Sequence, residues 1–187
     1  MTPLRLCLLA LCTSAAACTG RAGGGAPPGW LGEPGTGTGT SMPAAPAAGG
    51  PVPHTGPELF AYLRARRYAG FAHEPAVHPS AAEHGAGGVR VFFSPDLDRS
   101  LAEDRPEHPA AAAAVAELYG AGGKELTGWA ASVKVSASSD AGLGWFWYEV
   151  HSTTDGAHPL ASDLGVGLCT GCHAAGADYV LSPLAAE

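Results

Sequence analysis

Near its C-terminus the chain reads LCTGCHAAGADYV, residues 168–180, which sets Cys169 and Cys172 three positions apart and puts His173 directly behind them. Thiols at this spacing serve four chemistries: a thioredoxin-type redox couple, half of a zinc site, a small structural disulfide, or covalent attachment of haem with the next imidazole on its iron. Other candidates are scattered. They are Glu149, an acid inside the aromatic run WFWYEVHS at residues 145–152, and the histidines His54, His73, His78, His84, His108, His151 and His158. Neither a glycine-rich phosphate loop nor a G-x-S-x-G elbow occurs in the sequence.

The remaining cysteines decide among the four. The chain begins MTPLRLCLLALCTSAAAC, with a positive charge at Arg5, an apolar run from Leu6 to Leu11 and small residues up to Cys18. That is the pattern of a secretory signal, too short to stay in a bilayer. Ala15-Ala16-Ala17 before a cysteine resembles the lipobox of bacterial lipoproteins, so residues 1–17 are read as a lipoprotein-type signal peptide and Cys18 as an acylated N-terminus. Cleavage by an ordinary signal peptidase is the alternative. Cys7 and Cys12 then leave with the signal, and the mature domain keeps only Cys169 and Cys172 as thiols. A disulfide across two intervening residues would restrain little of the fold. A structural zinc site wants four tight ligands, and no second cysteine pair exists, although His151 and His158 could complete one. A redox pair belongs at the head of a βαβ helix, where the helix terminus lowers the first thiol's pKa; here it follows the last strand of an antiparallel pattern. The expectation is therefore one covalent haem c, with Cys169 and Cys172 adding to its vinyl groups and His173 as the proximal iron ligand. Export agrees, because c-type haem is attached outside the cytoplasm.

The opposite side of the iron is the next question. Met1 lies in the signal and Met42 in the segment after it, so a methionine ligand is not expected. Either a second histidine completes the iron, with His78 and His151 the best placed, or one face stays open to bind or convert a small molecule such as nitric oxide.

The elements that must position these groups follow from composition and periodicity. At 187 residues, with 46% hydrophobic content, 14% charged residues and a net charge of −7, the chain suits one domain plus appendages. Ten Lys and Arg against seventeen Asp and Glu leave no basic stripe for a nucleic acid; the group Arg64, Arg66 and Arg67 reads as the wet face of a helix. Residues 18–53, rich in Gly, Pro, Ala and Thr, read as a disordered tether with a span on the order of 30 Å, and 54–187 as the folded domain. PELFAYLRARRY at 57–68 predicts an amphipathic helix with Leu59, Tyr62 and Leu63 on its apolar face. GGVRVFFS predicts a strand with Val89, Val91 and Phe93 on one side. PDLDRSLAE suggests helical turns, and GWAASVKVS predicts a half-buried strand with Trp129, Ala131, Val133 and Val135 opposite Lys134. WFWYEVHS predicts a strand covered on both faces, with Trp145, Trp147, Glu149 and His151 on one of them. HPAAAAAVAELYG satisfies a helix and a strand equally. The class expected is α+β, mainly antiparallel sheet with a few short helices and a C-terminal haem-attachment segment.

A single C-x-x-C-H almost at the C-terminus, followed by GADYVLSP and preceded by VAEL and SVKV, resembles the cytochrome P-460 and cytochrome c′-beta family over approximately residues 57–184. The most specific part is the cluster ending in Asp178-Tyr179-Val180. The resemblance implies an antiparallel β domain, usually a homodimer, with one c-type haem on Cys169 and Cys172 and with His173 as the proximal ligand. Members with a lysine cross-linked to the porphyrin oxidise hydroxylamine; the c′-beta members lack the link and bind nitric oxide. The family segment matching VAEL often reads VKEL, and its lysine place is Ala116 here. Lys124 and Lys134 are the only lysines, and a link through Lys134 has no support in the sequence. Hydroxylamine oxidation is accordingly not expected. Proton movement would need a distal acid, for which Glu149 is the candidate, since burial can raise its pKa; the alternative, which is favoured, is a carboxylate at a strand edge hydrogen-bonded to a neighbour. The expected setting is the bacterial cell envelope, the chain facing the periplasm or anchored by its N-terminal lipid, with a small-molecule ligand or a redox protein as partner.

Overall fold

The computed structural model describes residues 50–80, 84 and 87–181. The signal, Cys18 and the tether up to residue 49 lie outside the described residues. Six strands form one sheet in sequence order: β1 (Ala72–His73), β2 (Gly88–Phe93), β3 (Ala113–Tyr119), β4 (Leu126–Lys134), β5 (Trp145–Val150) and β6 (Ala161–Leu164). Every neighbouring pair is antiparallel. Three short helices accompany them: α1 (Gly56–Arg64), α2 (Pro95–Ala102) and α3 (Gly167–His173). The class is thus α+β with a predominantly antiparallel sheet. Among the described residues no helix is long and apolar enough to cross a membrane.

Alternation divides the side chains between two faces. On the first face Phe92, Val115, Trp129, Val133, Phe146, Tyr148 and Val150 meet Leu59, Tyr62 and Leu63 of α1 in one apolar cluster. Each large side chain fully buried there contributes about 1.5–3 kcal/mol. The helix ends at Arg64, before the Tyr68 expected from the sequence, because Arg66 takes a left-handed φ of 50°. Val52, expected in the tether, is buried in this cluster, so packed chain begins at least there. Glu117 is fully buried on this face and takes hydrogen bonds from Arg66 (2.6 Å), Tyr68 (2.8 Å) and Tyr119 (2.5 Å).

The second face is covered unevenly. Phe93, Trp145 and Trp147 pack with Leu97 of α2 and Val180 of the C-terminal segment. Towards β2–β4 the covering stops, and the sheet carries Ala114, Ala116 and Ala130 instead of large residues. The alanine-rich segment that sequence left undecided is strand β3. Its Ala113 and Val115 are fully buried on the first face and it pairs on both sides, which outweighs the helical preference of alanine.

Candidate functional site

The thin part of the second face is the floor of a cavity of about 200 Å³, partly open to solvent. Register explains the floor. Val91, Ala116, Ala130 and Glu149 are successive cross-strand partners over β2, β3, β4 and β5, and Ala114, Ser132 and Trp147 form the next row. Three alanines in mid-sheet remove the side-chain volume that would otherwise meet the covering segment. They stay only partly covered, while their neighbours on the opposite face are buried.

The roof is α3, which carries CTGCH. Cys169 and Cys172 are free thiols on the cavity wall, the first half-buried and the second exposed. Burial pushes the Cys169 thiol up to about 11, with Glu149 and Cys172 adding to it. A thiol held so high is not the activated thiolate of a redox couple. His173, at the end of α3, donates from Nδ1 to the backbone carbonyl of Tyr179 at 2.9 Å, and Trp147 meets its ring edge-on with centroids 4.7 Å apart. A proton fixed on Nδ1 leaves Nε2 as the ring's lone-pair donor, the arrangement of a ligating histidine with its second nitrogen tied to a carbonyl. Burial holds the His173 imidazole below the ordinary histidine range, with His84 pushing the same way against the Tyr179 bond and Glu149. Among the described residues no group of three or more His, Cys, Asp or Glu side chains is arranged to hold a bare metal ion.

Glu149 lines the cavity on β5, as its strand face required. Of the two sequence readings, its surroundings are those of the hydrogen-bonded carboxylate. Burial acts to raise its pKa, but bonds from His84 Nδ1 (3.2 Å) and His151 Nε2 (2.6 Å) outweigh it, and the carboxyl is held below its usual range. It is a carboxylate near neutrality, not a stored acid. The histidines expected at the far side of an iron are also redistributed. His78 lines the cavity, but its Nε2 lies on Glu74 Oε2 (3.0 Å), and His151 is held by Glu149. His84 also lines the cavity, its ring centroid 6.4 Å from that of His173. His108 is buried against Trp145 and bonded to Ser100, away from the cavity; His54 and His158 are exposed, and His73 lies beside Arg90 and Phe92.

Sequence reasoning missed Glu74. It is buried on the cavity wall, accepts from the Val91 N–H (2.8 Å) and His78 through Oε2, and leaves Oε1 without a partner. An acid before a proline in a loop carries no periodicity to mark it. Among the described residues four buried polar side-chain atoms lack partners, and two of them, Glu74 Oε1 and Trp147 Nε1, belong to residues of this cavity. Unsatisfied buried groups point to something absent from the protein atoms. The lysines are elsewhere: Lys124 is exposed in a loop, and Lys134 is bound to Asp178 and Ser139. No lysine stands among the described residues lining the cavity, and Ala116 sits mid-floor.

The donor set fits a covalent haem. Two thiols and one oriented imidazole lie on a single short helix over a mainly apolar cavity, whose floor carries Ala114, Ala116 and Ala130 in mid-sheet. Comparison of the sequence with models of known protein families gave no match, and comparison with curated proteins gave none.

Proposed function

We propose that the chain is an exported c-type cytochrome that holds one haem in this cavity and binds or redox-converts a small ligand, nitric oxide or a related nitrogen species, at an open iron face. Cys169 and Cys172 would carry the thioethers and His173 the iron. The observation that carries the reading is the C-x-x-C-H helix lying over an alanine floor with His173 Nδ1 committed to the Tyr179 carbonyl. When bound, haem supplies an iron that exchanges electrons or holds a diatomic ligand. The chain's own contribution is to orient His173, to exclude bulk water with Trp147 and Val180, and to present to the cavity the Glu149 carboxylate that His84 and His151 hold. The resemblance to the cytochrome P-460 and c′-beta family supports the same cofactor and a cell-envelope setting reached through the lipoprotein-type signal. Ala116 on the floor favours the nitric-oxide-binding branch over hydroxylamine oxidation.

A second reading has its own observation. Two imidazoles bonded to opposite sides of one metal have ring centres about 6 Å apart, given metal–nitrogen bonds of about 2 Å, and His84 and His173 are 6.4 Å apart. In that case His84 would be a second imidazole on the iron, held by its bond to Glu149, and the protein would be an electron carrier. The test begins with a haem stain after denaturing electrophoresis of the exported full chain. A positive stain that Cys169→Ala/Cys172→Ala abolishes is expected; an unstained wild-type chain overturns both readings. The ferrous optical spectrum then separates them. A high-spin spectrum that nitric oxide shifts supports the open face, and a low-spin spectrum that becomes high-spin in His84→Ala supports the second ligand.

A further inference from the structure

Lys134 follows the strand alternation of β4 onto the cavity side of the sheet, but it lies beyond Trp145 with its side chain fully buried. A buried ammonium persists only when paired and hydrogen-bonded. Its partner is Asp178, whose side chain is 2% exposed. The Asp178 carboxylate receives Lys134 Nζ, Ser139 Oγ and the backbone N–H of His108 at 2.7 Å; Ser139 in turn accepts from Lys134 at 2.8 Å. Three separate pieces of chain therefore converge on one carboxylate: the end of β4, the turn before β5 and the loop ahead of β3. Gly142 in that turn, at φ 94°, lets Thr170 of α3 approach; a Cβ there would lie 2.5 Å from Thr170 Cγ2.

Asp178 and the next residue, Tyr179, take left-handed φ values of 46° and 67°. They are the central pair of a tight turn closed by Val180 N–H on Ala177 C=O at 2.9 Å. Residues with a Cβ resist this conformation, and such a turn usually takes Gly or Asn. It is held here by the carboxylate's three donors. Its consequence is that the Tyr179 carbonyl turns back onto His173 Nδ1.

We propose that the buried Lys134–Asp178 pair is a positioning device for the iron ligand: it holds the left-handed turn that aims the Tyr179 carbonyl at His173, and so sets the ring's tautomer, orientation and donor strength. This inference rests on the haem reading above. Asp178 and Lys134 touch neither the cavity nor the reacting atoms, and they act through the carbonyl. The same commitment removes Lys134 from any chemistry on the porphyrin.

The experiment uses the exported, haem-loaded full chain with Asp178→Asn and, as a gentler change, Ser139→Ala, which removes one of the three donors. Three quantities are read: the iron–histidine stretch by resonance Raman, the midpoint potential, and Tm. A loosened Nδ1–H···O bond gives the imidazole less anionic character, so both variants are expected to lower the stretch frequency and raise the potential, Asp178→Asn more than Ser139→Ala. The double variant Lys134→Met/Asp178→Leu fills the space with apolar groups. It leaves neither charge buried without its partner, and the stretch is expected to stay shifted as in Asp178→Asn. Variants that lose Tm but keep the wild-type stretch and potential overturn the proposal, as does a double variant with a wild-type stretch. If Asp178→Asn does not fold, Ser139→Ala and the double variant carry the same decision. A wild-type chain without covalent haem would instead fail the functional reading, and the haem stain distinguishes the two failures.

Discussion

Replacing Ala116 by Phe tests whether the alanine floor belongs to a binding cavity or to a loosely packed core. Ala116 lies between Val91 and Ala130 on the cavity side of β3, only partly covered, so a ring there enters empty space. Full burial of a Phe side chain is worth about 1.5–3 kcal/mol. With the cavity open on one side, roughly half of the ring would be covered, which gives about 1 kcal/mol. For a domain of this size that raises Tm by about 4 °C. If the floor were ordinary packed core, the same ring would overfill it and cost about 1–3 kcal/mol, and Tm would fall. The sign of the shift therefore discriminates. The assay is a thermal melt of the haem-free full chain, in a Cys169→Ala/Cys172→Ala background, beside a haem stain of the exported Ala116→Phe chain with its cysteines intact. The expected result is a higher Tm in the first and a strongly reduced stain in the second. A lower Tm together with an undiminished stain would refute the cavity.

Other outcomes follow from the same geometry. Glu149→Gln removes the charge that His84 and His151 hold, and should cost about 1–3 kcal/mol in urea titrations at pH 6, on the scale of hydrogen bonds to a buried charge. Glu117→Leu strips the acceptor from Arg66, Tyr68 and Tyr119 on the far face; it should destabilise by about 3 kcal/mol while leaving the haem optical spectrum unchanged, and a spectral shift would contradict the separation of the two faces. Acid should unfold the protein in two stages. Burial holds His108 below its ordinary pKa in the fold, so the unfolded chain binds more protons and stability declines as pH falls below about 6.5. Asp178, where burial acts upward but its donors win, is held below the carboxylate range, so its contribution is present above about pH 4 and lost as pH falls through the folded value. Denaturant midpoints between pH 7 and 3 that rise with falling pH would refute both signs.

The alternations at Val89-Val91-Phe93 and along Trp129–Val135 were legible because a strand with one face in a core must repeat every second residue. The apolar face of α1 was legible for the matching helical reason. Segment 113–119 was not, since alanine satisfies both periods and only pairing with β2 and β4 decides it. β1 and β6 are too short to carry a pattern of their own. In the site, alternation put Glu149 on the face of Trp145 and Trp147, but its bond from His84 could not be read locally, because His84 is 65 positions away in sequence.

The sequence by itself determined that Cys169, Cys172 and His173 stand together, since covalent spacing alone fixes them relative to one another. It also determined the α+β class, through short-range periodicity. The tertiary structure decided what surrounds that motif: an alanine floor lent by three strands, the Tyr179 carbonyl behind His173, the unpartnered Glu74 and Trp147 atoms, and the commitment of Lys134 to Asp178. Those arrangements depend on strand register and on loops closing over long stretches of chain. Residue types and local spacing do not encode them separately; they exist only once the sheet has brought distant segments into contact.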